Sequence, residues 1–306
     1  NSAQWAGPHS RSYSTLVSTN FYGILKGASN GKIDLGYEFN RTEDVKLKHK
    51  IPENLLTYFL SPQYPRLEVD EFEKNDPKVI GYTYLTEDYA ISSVSRSSLW
   101  NQRRPILIYW GELNNSHYLQ VRLLHDFYDF STASIFSQQN NNQILSAINF
   151  STNGGDKHIG IDRLKDGRFK ATDLRLRFEI GNCKSVTINL PKNINNNILI
   201  NADNGNLAIR LLAAKFENVN GYWEKGSDGN INYLDFVLYK GTEKDFDFTQ
   251  IEQAVLSFAL MFGTNKDNIS IDQTANAEIK NNIINCSWNE LSVETKVKPD
   301  KLTPNL

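Results

Sequence analysis

The sequence predicts an all-β protein, a large antiparallel β-sandwich of stacked sheets with minor helices near the N-terminus. Three observations carry this expectation. From about residue 80, apolar side chains recur at every second position, the period of a strand with one face buried. Clusters of Asn, Gly and Asp punctuate these runs, as in Asn153-Gly154-Gly155-Asp156 and Asp203-Asn204-Gly205-Asn206, and these residues suit tight turns. Aromatic residues make up 11% of the chain and asparagine comes in runs at 140–142 and 195–197, a composition that favours strands joined by short loops. No fixed-period repeat is visible, which argues against a propeller or a solenoid.

Taken in order, the elements fall into an N-terminal segment, 1–77, and a sandwich domain, 78–306. Pro52 opens a short helix over 54–60, because proline is tolerated in a first turn; Pro62 and Pro65 end it. The acidic, proline-flanked stretch 67–77 reads as a linker or a surface excursion. Beyond it, 173–180 is the clearest strand: Leu174, Leu176, Phe178 and Ile180 face one way, Arg175, Arg177 and Glu179 the other. Shorter runs lie at 106–110, 118–124, 134–138, 144–150, 186–190, 198–200, 207–212 and 233–239. One further helix is predicted over 248–262, where Thr249 would cap and Ile251, Val255, Phe258 and Phe262 recur at helical spacing. The tail after Val297 carries Pro299 and Pro304 and is expected to fray.

Composition excludes several function classes. With 306 residues and 40% hydrophobic content, a core forms without disulfides or metals. The net charge of −2 and the lack of a basic run argue against nucleic acid as a partner. No apolar run approaches the ~20 residues of a membrane-spanning helix. There is no glycine-rich nucleotide loop, no G-x-S-x-G and no H-E-x-x-H. Cys183 and Cys286 sit in no metal-ligand spacing and read as buried or indifferent thiols.

Three stretches carry a family resemblance. They are Trp5-Ala6-Gly7-Pro8-His9-Ser10-Arg11-Ser12-Tyr13, then Tyr89-Ala90-Ile91-Ser92-Ser93-Val94 with Leu99-Trp100-Asn101-Gln102-Arg103-Arg104-Pro105, and Asn153-Gly154-Gly155-Asp156-Lys157-His158. Together they resemble the heparinase II/III-like polysaccharide lyases. The resemblance implies a stack of antiparallel sheets over roughly 78–297, with the family's helical toroid outside this chain. It also implies a secreted or periplasmic bacterial protein acting on an acidic polysaccharide by β-elimination at a uronate. No cofactor is required, and a structural zinc fits the family's sandwich.

Elimination needs groups that neutralise the sugar carboxylate, remove a proton and protonate the leaving oxygen. His9, Arg11 and Tyr13 offer these types on one face of an extended segment, about 6–7 Å apart; the plainer reading is a surface segment whose His and Arg cap or pair. Trp100, Arg103, Arg104, Tyr109 and Trp110 form the densest aromatic and cationic cluster, suited to stacking on sugar rings and pairing with carboxylate or sulfate. The alternative is a core Trp with Arg stems packed over it. For metal, Asp156 and His158 would share one side of a turn, closed by His125 with Asp126, while His117 and Asp162 lie nearby in sequence; the competing reading is a loop aspartate and two satisfied histidines. Two functions follow: one wall of a lyase-like cleft for an acidic glycan, or a non-catalytic carbohydrate-binding or scaffolding module.

Overall fold

The computed structural model describes residues 64–72, 78–99, 102–112, 115–154, 164, 166–217 and 220–302. Among these the regular elements are all strands: β1 (Arg66–Phe72), β2 (Val79–Leu85), β3 (Tyr89–Ser95), β4 (Ser97–Ser98), β5 (Ile106–Glu112), β6 (Asn115–His125), β7 (Tyr128–Asp129), β8 (Ala133–Asn140), β9 (Gln143–Phe150) and β10 (Arg168–Gly181). There follow β11 (Val186–Asn189), β12 (Ile198–Ala202), β13 (Gly205–Phe216), β14 (Tyr222–Asp228), β15 (Ile231–Asp247), β16 (Ala254–Thr264), β17 (Asn276–Lys280), β18 (Ile283–Trp288) and β19 (Leu291–Lys296). The all-β expectation holds, and every strand pairs antiparallel. The predicted helix at 54–60 lies outside the described residues. No helix among them is long and apolar enough to cross a membrane.

The strands make three sheets. The largest runs β1-β2-β3-β5-β6-β10-β15-β14, with β7 paired to β6; the second runs β11-β12-β13-β16-β9-β8-β4; the third is β17-β18-β19. Asparagine closes the hairpins: Asn141 between β8 and β9 and the Asn281–Asn282 pair between β17 and β18 have positive φ, which tight two-residue hairpin turns require.

Alternation along the strands builds the layers. Leu174, Leu176, Phe178 and Ile180 of β10 meet Phe258, Leu260, Ile144 and Ile148 of the second sheet in the main core. The opposite side of that second sheet, with Leu145, Ala147, Ala208, Val255 and Ala259, packs on Ile284, Cys286, Trp288, Leu291 and Val293 of the third. The second sheet is therefore a central layer, apolar on both faces.

This arrangement corrects the predicted helix at 248–262. Residues 248–250 form a turn, in which Asp247 Oδ1 accepts from Thr249 N and Oγ1, and β16 follows. A strand apolar on both faces shows no polar alternation, so residues at helical spacing can be picked from it: Phe258 and Phe262 face the main core, Val255 the other. The stretch 67–77 is corrected in part as well, since β1 pairs with β2 from Arg66↔Leu85 to Phe72↔Val79 and belongs to the sheet as an edge strand.

Candidate functional site

The apolar side of β10 turns inward, so its Arg175, Arg177 and Glu179 define the outer face of the largest sheet. Register places the neighbours in rows. Tyr109, Tyr118 and Gly181 are cross-strand partners; Leu107, Gln120, Glu179 and Tyr233 form the next row. Then come Arg122, Arg177, Asp235 and Glu224, and finally Leu124, Arg175, Val237 and Tyr222. Rows two residues apart put the first and last about 20 Å apart.

Aromatics mark both ends. Tyr109 is 45% exposed. Beside it the Tyr118 ring lies directly over Gly181, where any Cβ would collide with it; the glycine is what lets a ring rest against the sheet. Arg177 caps the Tyr233 ring at 3.8 Å, a cation–π contact. At the far end Phe127 is 65% exposed with φ +70°, a conformation that bulky residues seldom adopt; Tyr128 and Tyr222 are exposed near it.

Between these ends lies a lattice of opposite charges. Asp235, wholly buried, accepts from Arg175 Nη1 at 2.7 Å and from Arg177 Nε and Nη2 at 2.8 Å each. Arg175 also pairs with Asp173. Arg122 donates to Asp129 and Glu179 at 2.8 Å, Gln120 donates to Glu179, and Arg104 donates to Asp129 at 2.8 Å. This corrects the half-buried reading of 173–180: Arg175 and Glu179 are buried too, because diagonal neighbours of opposite charge on adjacent strands, Asp235 and Arg122, cover them. Burial works against the Arg175 charge, but Asp173 and Asp235 outweigh it and hold its pKa above the ordinary value.

Burial would raise the Asp129 carboxyl, but the Arg104 and Arg122 guanidiniums outweigh it and hold it below the ordinary carboxylate range. A depressed folded pKa contributes stability that is present above the unfolded value, about 3.9, and lost as pH falls through the folded one. Urea melts between pH 2 and 5 should therefore show the wild type losing stability on acidification. Asp129→Asn should show a shallower slope; equal slopes would mean that Asp129 is not a source of the acid sensitivity.

The residues singled out in the sequence scatter. Tyr109 and Arg104 border the outer face. Trp110 points the opposite way, 3% exposed, with Nε1 donating to Ala202 O at 3.2 Å and its ring 5.1 Å from that of Phe262. It is a core residue with no ring face left for a sugar, the outcome that alternation from Tyr109 demands. Arg103 is buried. His125 Nε2 bonds Lys170 O at 2.6 Å, and its ring is wedged edge-on against Phe130 and Phe169. That packing suits a core histidine better than a ligand. His9, Arg11, Tyr13, Trp100, Asp156 and His158 lie outside the described residues.

Two arrangements went unread. The approach of the Tyr118 ring to Gly181 was hidden because the two stand far apart along the chain. At the same end of the sheet, His117, Cys183 and Asp203 each bring one potential ligand atom within 4.8 Å of the others. Of the three, Cys183 also lines a polar cleft of about 690 Å³, together with Asn115, Ser116, Asn182, Lys184, Asn230 and Asn232. Burial, and next the Asp203 carboxylate, push the Cys183 thiol up to about 12, the reverse of what a nucleophilic cysteine needs.

The chain matches no protein-family model and no curated protein. The class defined by its fold is a three-layer antiparallel β-sandwich. Neither comparison identifies a heparinase-like family.

Proposed function

We propose that this chain is a non-catalytic glycan-binding β-sandwich, with a sugar chain laid along the outer face of the largest sheet. The observation that carries this reading is the Tyr118 ring resting on Gly181 beside exposed Tyr109. Rings laid against a sheet offer their faces to a ligand, and sugar C–H patches stack on such faces. Along the ~20 Å between the ends, the partly exposed Arg122, Arg177 and Glu224 offer donors and acceptors for hydroxyl groups, and the Asn-lined cleft adds more beyond Tyr118. The lattice is charge-balanced, so a neutral, hydroxyl-rich glycan suits it better than a polyanion; Arg104, on which the acidic reading leaned, already pairs with Asp129.

A calorimetric panel of neutral glucans, xylans and mannans beside heparan sulfate, hyaluronan and alginate tests this. Binding to a neutral glycan is expected, changing little with salt, since paired charges leave little to screen. Tyr109→Ala and Tyr118→Ala should each weaken it about 2- to 12-fold. Binding confined to acidic glycans and abolished by salt would place the ligand on cations instead. A rise in ultraviolet absorbance from an unsaturated uronate would overturn the non-catalytic reading.

A further inference from the structure

We propose that His117, Cys183 and Asp203 form a mononuclear site for a zinc-class divalent cation, beside the polar cleft that Cys183 lines. Three chain segments deliver the ligands. His117 comes from the start of β6, Cys183 from just after β10, and Asp203 from the β12–β13 turn at φ +51°. The first two belong to the largest sheet and the third to the central one, so a shared ion would clasp the two layers at this end.

The hydrogen-bonding pattern turns His117 Nε2 toward Asp203. His117 Nδ1 lies 2.8 Å from Asn182 O. A carbonyl can only accept, so Nδ1 carries the proton, and Nε2 is the nitrogen whose lone pair is available to a metal. That lone pair faces Asp203 Oδ2 at 3.5 Å. The separation is long for an N–H···O hydrogen bond. It matches the edge of a tetrahedral ion: ligands about 2.0–2.2 Å from zinc stand roughly 3.3–3.6 Å apart. A ligating histidine whose other nitrogen donates to a backbone carbonyl is the usual outer-shell arrangement at metal sites.

The remaining groups are held in place. Asp203 Oδ2 accepts from Lys184 N at 2.9 Å and Oδ1 from Ser185 N at 3.0 Å, which fixes the carboxylate and leaves lone pairs over. The His117 ring rests on Gly111, where a Cβ would come within 2.8 Å of its Cδ2 and 3.1 Å of Nε2, and Trp110 packs beside it at 5.6 Å. One thiolate, one imidazole and one carboxylate suit zinc or its analogues rather than calcium or magnesium, which prefer all-oxygen shells. A water would complete four-coordination.

The full chain, stripped with chelator, would be titrated with Co(II) and then Zn(II). One equivalent of Co(II) should produce a near-ultraviolet thiolate-to-metal band and visible bands of tetrahedral intensity, all displaced by Zn(II). Cys183→Ser should remove the near-ultraviolet band, Cys286→Ser should keep it, and Asp203→Asn should weaken binding ~10-fold or more. Zinc should raise the Tm of the wild type and leave Cys183→Ser unmoved; the half-exposed position of Cys183 lets that variant fold, as circular dichroism would check. Absence of a thiolate band, or a band that survives Cys183→Ser, overturns the site.

Discussion

Replacing Asp235 with alanine is expected to lower the free energy of unfolding by about 3–5 kcal/mol, because it strands buried guanidinium charge. The carboxylate has no exposure and accepts three of the N–H donors of Arg175 and Arg177. Arg175, 3% exposed at its side chain, would keep Asp173 but lose its cross-strand partner. Asp235→Asn retains the shape and one acceptor oxygen and should fall between wild type and alanine. Urea denaturation near pH 7 reads this directly. A loss below about 1 kcal/mol, the scale of an exposed ion pair, would show that water reaches the lattice and that its pairing holds little of the sheet together.

Trp110→Ala should cost a comparable ~3–5 kcal/mol, the range for emptying a large buried aromatic site. Its ring fills space against Phe262, His117 and Gly205, and its indole N–H joins β5 to the central sheet through Ala202. Trp110→Phe keeps most of the volume and leaves that carbonyl without its indole partner, a loss of about 1–3 kcal/mol. Glycan affinity separates the two sides of β5. Trp110→Phe, once folded, should bind as the wild type does, whereas Tyr109→Ala should not. Equal effects would mean that the inward and outward positions do not act independently.

Legibility in the sequence followed exposure. Where one face of a strand meets core and the other meets charged groups, as along β10, period-two alternation is plain in the letters. Where both faces meet core, as in β16, the alternation vanishes and Val255, Phe258 and Phe262 pass for a helix. The turn residues were legible for a local reason: Asn141 and Asp203 have positive φ, which is the property that brings such residues to turns. Sites assembled across strands were not. His117, Cys183 and Asp203 share no short motif, and only the pairing of β6 with β10 and the β12–β13 turn brings them together. Likewise Tyr109 and Trp110 look alike as neighbouring aromatics until the pleat sends one outward and the other in.

The position of β16 in the central sheet has a consequence for how the chain is made. It lies between β13 and β9 and alone joins the β11–β13 meander to the β8–β9 hairpin. On the ribosome, β9 emerges roughly 100 residues before β16, an interval of about 5–20 s at ~5–20 residues per second. Throughout that time one edge of β9, with Ile144, Leu145 and Ile148 beside it, has no native neighbour. Unpaired apolar edges recruit strands from other chains. The nascent protein is therefore most vulnerable to aggregation between the synthesis of the β8–β9 hairpin and that of β16, which seals it, and slow elongation over that interval should lower the yield of folded chain.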